Sequence, residues 1–195
     1  ETLTLDGAIR ANGRNGYSDA GHVGKGGGGA GGSIWIEVGT LAGAGVIEAN
    51  GGSGLVGAGD NNGGGGGGGR IALYYGSKTY TGTVTAYGGA GYRIGGAGTV
   101  YQRSTSSGLD RLTIDNEGMG LAQSYTPIVT ETLSGLDHVT KFDLMWALVR
   151  LDVGGVSIDQ AKAGHGTFDL GAIQIVIGEL DVVTQTLVLG TVSDS

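Results

Sequence analysis

Paired aspartates are the residues of this 195-residue chain whose spacing could support catalysis. Asp143 and Asp169 occur in matching Phe-Asp-Leu triplets, and Asp152 and Asp181 occur in matching Leu-Asp-Val triplets. If such pairs stack on neighbouring turns of the chain, two carboxyls come within the ~5–9.5 Å that glycoside hydrolysis requires. The chain has 18 acidic residues, so chance pairs are abundant. We therefore expect these aspartates to be solvated, and we expect no catalytic residue.

Metal and phosphate sites have weaker sequence support. A calcium nonapeptide repeat requires GGxGxD, but residues 51–56 read GGSGLV, with valine in place of the liganding aspartate. Lys25 precedes its glycine run, whereas a phosphate loop places the lysine after the glycines and before a helix. The loop residues Asp19 and Asp60 could supply oxygen ligands but match no calcium loop, so we expect no cofactor and no metal, with calcium left as an alternative that no motif supports. The chain has no cysteine, and its histidines, which lack the spacing of a zinc hydrolase, are His22, His138 and His165.

Charge and composition exclude several classes of protein. The net charge is −7, and the basic residues form no stripe of the kind that a nucleic-acid-binding surface requires. No stretch of ~20 apolar residues is present that would cross a membrane as a helix. The 45 glycines do not fall on every third position and proline occurs once, which excludes collagen. The sequence starts at Glu1 without a methionine or a signal peptide, so we expect a processed protein or part of a longer one.

The glycine-rich first half contains a repeat with a period of about 37 residues. The segments 7–13 (GAIRANG), 45–51 (GVIEANG) and 82–88 (GTVTAYG) align, and so do 32–38 (GSIWIEV) and 69–75 (GRIALYY). Apolar residues alternate within each copy, as in a strand with one buried face. The repeat predicts an all-β fold, a parallel β-helix (β-solenoid) in which like residues stack. The residues expected to stack are Ile9, Ile47 and Val84, then Ala11, Ala49 and Ala86, and the amides Asn12 and Asn50.

The same stacking makes predictions for charged residues and for glycine. Arg10 should lie beside Glu48 as an opposite-charge pair on neighbouring strands. The glycine runs at 26–32 and 63–69 need a packing reason, because seven ordered glycines cost roughly 4–7 kcal/mol relative to alanine. We predict that the two runs lie side by side as extended or polyproline-II-like segments, and that they cover one flank of the solenoid.

The second half of the chain has fewer glycines and more ordinary strand patterns. We expect residues 104–195 to continue the solenoid of residues 1–103 with a wider core, and we place the seam at 104–108. Residues 138–151 could instead form one amphipathic helix with Asp137 as its N-cap. The chain end, VSDS, has no capping element, which a solenoid needs to cover its end strands. Further modules or copies of this chain are therefore the partners expected end to end.

Aromatic residues are the candidates for binding. Trp35 faces outward if Ile34 and Ile36 face inward, and we place Tyr74 at the equivalent position one repeat on. Tyr87 and Tyr101 extend this predicted stripe. Exposed aromatics on a rigid support can bind sugar rings or a partner surface, although a glycine layer could equally cover them.

The sequence also resembles a known kind of protein. Residues 26–52 (GGGGAGGSIWIEVGTLAGAGVIEANGG), 63–76 (GGGGGGGRIALYYG) and 81–89 (TGTVTAYGG) resemble the glycine-rich repeats of very large bacterial secreted and surface proteins of the adhesin-like kind. Residues 95–103 (GGAGTVYQR) and 109–118 (LDRLTIDNEG) are similar to the parts that follow in them. The resemblance implies a right-handed β-helix stalk and an extracellular or cell-surface setting, and it brings no catalytic residues with it.

These observations lead us to expect a structural or adhesive extracellular module without enzymatic activity, which forms a rigid stalk or a fibre-forming segment of a larger surface assembly. The second hypothesis is a carbohydrate-active β-helix enzyme, either a polysaccharide lyase or a glycoside hydrolase, built on the paired aspartates. An ice-binding or surface-binding protein is the third, and only Thr83 with Thr85 and Thr2 with Thr4 suggest the regular threonine array that it needs. A carbohydrate or a protein surface is the expected ligand, with no nucleic acid and no membrane insertion.

Overall fold

All regular structure described in this chain is β-strand. The computed structural model describes residues 1–18, 24–57 and 61–116 and, beyond 116, the residues of seven strands, and it confirms the all-β class for them. The strands are β1 (Thr2–Thr4), β2 (Ala8–Arg10), β3 (Ser33–Ala42), β4 (Val46–Glu48), β5 (Arg70–Lys78), β6 (Thr83–Thr85), β7 (Thr99–Ser104), β8 (Asp110–Asp115), β9 (Thr126–Ile128), β10 (His138–Met145), β11 (Ala147–Leu151), β12 (Ser157–Ala163), β13 (Gly166–Asp169), β14 (Val176–Val182) and β15 (Leu187–Gly190). Asp19, Asp60, Asp137, Asp152, His22 and His165 lie outside the described residues.

Strands β1 to β7 are stacked in parallel, one repeat on the next. β1, β3, β5 and β7 follow one another in an eight-stranded sheet, and β2, β4 and β6 form a three-stranded sheet. The register is that of the sequence repeat, because Ile34 lies beside Ile71 and Ile36 beside Leu73. Equivalent residues of successive repeats are therefore neighbours across a strand pair.

The apolar core of this half lies between the two sheets. Ile9 lies beside Ile47, and Ile47 lies beside Val84, in the three-stranded sheet. Ile47 is fully buried and packs in one cluster with the buried side chains of the eight-stranded sheet. The ion pair of Arg10 Nε with Glu48 Oε2, at 2.7 Å, confirms the cross-strand pairing expected from the repeat. The other stacked positions are the alanines that follow each strand, of which Ala49 and Ala86 are buried and Ala11 is half-buried.

Asparagine side chains also join successive repeats. Each of them hydrogen-bonds to the backbone of the next repeat and not to the next asparagine side chain. Asn12 Oδ1 accepts a hydrogen bond of 2.7 Å from the N–H of Asn50, and Asn50 Oδ1 accepts one of 2.8 Å from the N–H of Tyr87. Asn15 Oδ1 accepts in the same way from Ser53. These amides thus hold the next repeat in register where the chain leaves the strand.

The glycine-rich segments hydrogen-bond with a period of three residues. The N–H groups of Gly28 and Gly31 donate to the carbonyls of residues 64 and 67 in the second run, and the N–H of Lys25, just before the first run, donates to the carbonyl of residue 61, just before the second. The intervening N–H groups, at residues 26, 29 and 32, donate to a different neighbour, the segment 11–17. The two glycine runs therefore lie side by side, and each contacts further segments as well.

Glycine is required in these segments because neighbouring backbones approach too closely for a side chain. A Cβ on Gly65 would lie 1.8 Å from the carbonyl oxygen of Gly89, and a Cβ on Gly66 would lie 2.0 Å from that of Gly29. Gly64 and Gly67 are different, since the nearest atoms to a Cβ there are 3.6 and 3.9 Å away. Two positions in every three are thus closed to side chains, and the third faces outward.

The chain reverses direction between β7 and β8. The N–H of Ser104 donates to the carbonyl of Leu109, and Gly108 has φ 70° in the turn between them. β8 consequently pairs antiparallel with β7, with Tyr101 opposite Leu112. The expected simple continuation of the first half is therefore wrong in strand direction, because the turn at the seam brings β8 back along β7.

The buried face of the sheet also changes at this pair. Ile71, Leu73 and Val100 are buried on the face opposite to Tyr101. Residues directly opposite each other in a pair share a face, so the buried Leu112 lies on the Tyr101 face instead. β8 thus buries the face of the sheet opposite to the one that β5 and β7 bury.

Beyond β8 the strands stack in parallel again. β8, β10, β12 and β14 follow in the eight-stranded sheet, and β9, β11, β13 and β15 form a four-stranded sheet. The alternative of one helix over 138–151 is wrong, because β10 and β11 occupy this stretch. Each strand there gains backbone partners on both sides, which the helical spacing of the apolar residues does not reveal.

The period of three in the second glycine run gives a prediction with a built-in control. Gly65→Ala should lower the free energy of unfolding by about 1–3 kcal/mol or more, because the new methyl group meets a backbone oxygen that has no space to move. Gly64→Ala, one residue away, should be neutral or stabilising by about 0.4–1 kcal/mol through the unfolded state. Urea denaturation of the two variants measures the difference. Equal losses at both positions would contradict the described packing.

Four asparagines precede a glycine, and the fold should protect them from deamidation. In that reaction the glycine nitrogen attacks the side-chain carbonyl carbon, and ammonia leaves as a succinimide forms. Here the N–H groups of the four glycines all donate to backbone carbonyls at 2.7–2.9 Å. Because local opening must come first, we expect deamidation to be about tenfold slower or more in the folded chain than in urea. Peptide mass spectrometry checks Asn12, Asn15, Asn50 and Asn62, and equal rates in the two states would contradict this.

Candidate functional site

Three aromatic side chains form a contiguous row on one face of the eight-stranded sheet. The ring centroids of Trp35 and Tyr74 are 4.6 Å apart with the planes inclined by 31°, and Tyr74 meets Tyr101 edge-to-face at 5.8 Å. Such pairs stabilise each other beyond the area that they bury. We call these three residues the aromatic row.

The row arises from diagonal contacts between strands. The residue beside Trp35 on β5 is Ala72, and Ala72 also lies beside Tyr101 on β7. Tyr74 is two residues further along β5, beside Glu37, so the sequence prediction that made it equivalent to Trp35 is wrong. Because residues two apart share a face, diagonal neighbours are within reach of long aromatic side chains.

Tyr87, the fourth residue of the predicted stripe, lies elsewhere. It follows β6 of the three-stranded sheet, and its N–H is bound by Asn50 Oδ1. The reason is its place in the repeat, because Tyr87 follows the strand Thr83–Thr85, which stacks on Val46–Glu48 and not on the strand of Trp35. The aromatic row therefore contains Trp35, Tyr74 and Tyr101 only.

Exposure falls along the row towards the second half. The side chain of Trp35 is 66 % exposed, Tyr74 and Tyr101 are half-buried, and Leu112 on the next strand is only 2 % exposed. The glycine segments therefore do not cover Trp35. The row lies where an open sheet face meets a covered one.

Charged residues anchor the buried end of the row. The Tyr101 hydroxyl donates to Asp110 Oδ2 at 3.2 Å, and Arg103, which lies beside both Tyr74 and Asp110, also hydrogen-bonds to Tyr101. Burial raises the pKa of Tyr101 to about 12, and the charge of Asp110 acts in the same direction while Arg103 opposes it. Tyr101 is thus a neutral hydrogen-bond donor at any physiological pH.

A cleft of about 220 Å³ lies beside the turn that joins β7 to β8. Arg111, the cation in its lining, forms an ion pair with Asp143, and Gln102 Oε1 accepts a hydrogen bond of 2.6 Å from Nζ of the neighbouring Lys78. Burial lowers the pKa of Lys78, and the nearby charge of Arg111 adds to this. Because these groups satisfy each other, the cleft shows no unmatched charge that would select a ligand. It is lined by Tyr75, Gln102, Ser104, Ser107, Leu109, Asp110 and Arg111.

Of the two aspartate pairs on which the enzyme hypothesis was built, only Asp143 with Asp169 lies wholly within the described residues, since Asp152 lies outside them. Asp143 lies on β10 of the eight-stranded sheet, and Asp169 lies on β13 of the four-stranded sheet. Lys162 separates Asp143 from Asp181 in the register of the eight-stranded sheet. The matching Phe-Asp-Leu triplets thus belong to different sheets, and they do not stack.

Two buried polar residues have structural roles that the sequence reasoning missed. Asn116 is fully buried, and its amide accepts from the N–H of Gly88 at 2.7 Å and donates to the carbonyl of Gly95 at 3.1 Å. The Tyr80 hydroxyl donates to the carbonyl of Gly45 at 2.6 Å. Asn116 follows a strand as Asn12 and Asn50 do, which is a signal that could have identified it.

The described part of the chain contains no group of three or more His, Asp or Glu side chains placed to hold a metal ion together. It also has no helix of the length and apolarity needed to cross a bilayer. Comparisons with protein-family models, with curated proteins and with solved structures found no match to this chain. A functional assignment therefore depends on the geometry alone.

The raised pKa of Tyr101 predicts a pH dependence of stability. The pKa of Tyr101 is about 12 in the folded chain and near 10 in the unfolded chain. The contribution of the neutral Tyr101 hydroxyl to the free energy of unfolding is therefore complete below pH ~10, and it is lost as the pH rises towards ~12. Tyr101→Phe should therefore show a smaller loss of stability than the wild type across this window. Urea denaturation at several alkaline pH values measures it. Tyr17→Phe, at a side chain that is 77 % exposed, is the matched control, and an unchanged profile for Tyr101→Phe would contradict the prediction.

Proposed function

We propose that this chain is a structural or adhesive extracellular module without enzymatic activity. In this proposal it forms a right-handed parallel β-solenoid with polyproline-II-like glycine segments along one flank. Residues 1–103 form one unit and residues 104–195 form a second with a wider core and the opposite strand direction. The module would act as a rigid stalk or as a fibre-forming segment of a larger assembly at the cell surface.

The observation that carries this proposal is that the described strands, asparagines and glycine segments of one repeat bond to the next repeat. The strands pair in register, the asparagines bind the next backbone, and the glycine segments hydrogen-bond to each other every third residue. A period of three residues is the period of a polyproline II helix. Bonds between neighbouring repeats in all three kinds of segment favour a stiff rod, in which each coil contacts only the next.

End-to-end partners would attach at the outer strands of the sheets. β7 is already paired with β8, so contact through the eight-stranded sheet would use β1 and β14, its outermost strands. Edge strands present unpaired backbone groups that readily accept another strand. Further modules of the same assembly, or second copies, are the partners that we propose for these edges.

The enzyme alternative is built on two aspartate pairs. Asp143, the one aspartate of the predicted pairs whose side chain is described, forms an ion pair with Arg111. Asp152 of the other pair lies outside the described residues. We propose the structural function, and the polysaccharide assay described below tests the enzyme alternative.

Stretching single molecules from both ends tests the coil architecture. If coils of about 37 residues detach one at a time, residues 1–103 should extend in steps of roughly 120 Å. Gly65→Ala should lower the force of at least one step, whereas Gly64→Ala should leave all steps unchanged, because only the first substitution disturbs a contact between coils.

Release of residues 1–103 in one event, or steps unrelated to the repeat, would contradict the proposed coils. An assay for new reducing ends and for unsaturated uronates on a panel of polysaccharides tests the non-enzymatic part. Turnover of any of these polymers by the wild type would overturn it.

A further inference from the structure

We propose that the aromatic row is a binding site for neutral polysaccharide, in which Trp35, Tyr74 and Tyr101 contact the faces of hexopyranose rings. This inference rests on the adhesive part of the proposed function and gives it a ligand class. It is independent of whether the chain also assembles end to end.

The first support is the exposure of a large aromatic residue on a sheet face. Trp35 is 66 % exposed although tryptophan is among the most costly side chains to leave in water. It lies at an outward position of β3 between the buried Ile34 and Ile36, so its exposure is a consequence of its place on the strand. An exposed aromatic on a rigid support is suited to pack against an apolar ring face.

The second support is that the row is already ordered without a ligand. Tyr74 contacts Trp35 on one side and Tyr101 on the other, and the Tyr101 hydroxyl is held by Asp110. Three parallel strands carry these residues. Little conformational entropy remains to be lost on binding, and such preorganisation favours affinity.

The charges beside the row favour a neutral ligand. Glu37 and Arg103 lie beside Tyr74 on either side, so a carboxylate and a guanidinium border the same rings. These two groups can accept from and donate to sugar hydroxyls. With Arg70 on the same face and Asp110 at the Tyr101 hydroxyl, two cationic and two anionic side chains border the row, so no net charge favours an ionic ligand. The net charge of −7 further disfavours an acidic polysaccharide.

The size of the row argues against a protein partner on this face. A stable protein interface covers ~800 Å² on each side and has an apolar centre. In the described first half, this face offers the three rings and Ala72, with Glu37, Arg70 and Arg103 around them. On β8 this face is covered, as the burial of Leu112 shows. The open apolar area therefore suits a chain of sugar rings better than a folded surface.

Isothermal titration of the full chain with cellohexaose, chitohexaose, mannohexaose and maltohexaose tests the proposal, with hexagalacturonate as the acidic comparison. We expect at least one neutral hexasaccharide to bind. Trp35→Ala should weaken that binding by about tenfold or more, since it removes the most exposed ring, whereas Trp35→Phe should retain most of it. Because the ligand is uncharged, the affinity should change little with salt.

Matched controls separate the row from other exposed aromatics. Tyr17 and Tyr92 are 77 % and 66 % exposed and lie on the glycine-rich segments, so Tyr17→Ala and Tyr92→Ala should leave binding unchanged. Urea denaturation of Trp35→Ala checks that the fold persists. If that variant is unstable, Trp35→Gln provides the same loss of the ring with a polar side chain of intermediate size.

Three outcomes would overturn the proposal. They are no binding of any neutral hexasaccharide by the wild type, binding that Trp35→Ala leaves intact, and preference for hexagalacturonate. A change of self-association in Trp35→Ala, seen by sedimentation, would instead assign the row to contact between copies and would equally overturn it. The stretching experiment does not depend on saccharide binding. Absence of binding would therefore overturn the polysaccharide site without deciding the solenoid proposal, which the stretching experiment tests.

Discussion

The close approach of neighbouring backbones is the constraint on which the first half of this structure depends. Where two glycine segments meet, a Cβ at Gly28 would lie 1.8 Å from the carbonyl oxygen of Gly52. No side chain can enter such a contact, so N–H and C=O groups of adjacent segments bond directly. The entropy cost of ordering many glycines is offset by these bonds, which satisfy backbone groups that a looser packing would leave unpaired. Glycine content, usually a sign of flexibility, is here a condition for dense packing.

Much of the first half could be predicted from the sequence because the repeat itself encodes register. Two seven-residue motifs keep the same spacing, and each fixes a column of neighbours, as Ile34 beside Ile71 illustrates. The three-letter echoes around Asp143 and Asp169 carried no such information, since short matches arise by chance and place residues in different sheets. The position of Tyr74 was also predicted wrongly, although the repeat gives it correctly. In the aligned repeats Tyr74 matches Glu37, and Trp35 matches Ala72.

The reversal between β7 and β8 was harder to foresee, although its local signal is present. Ser-Ser-Gly at 106–108 is a turn sequence, and Gly108 adopts a φ of 70° that favours glycine. A turn alone, however, does not say whether the next strand returns along β7 or passes to another coil. In the observed antiparallel pairing Leu112 lies opposite Tyr101, so Leu112 and Ile114 are buried on the face of Tyr101. The same alternation would fit this face in a parallel pairing, so the sequence pattern does not give the direction of β8.

The change of buried face connects the fold to the aromatic row. On one side of the β7–β8 pair the core of the first half covers Ile71 and Val100, and on the other side Leu112 and Ile114 are covered on the opposite face. At the β7–β8 pair the buried face changes, so each face has a border there between covered and open strands. The aromatic row lies at one such border, with Trp35 in the open and Tyr101 against the covered strand. The site is therefore a consequence of how the two halves join, and a chain that continued its first winding without reversal would have no border at this place.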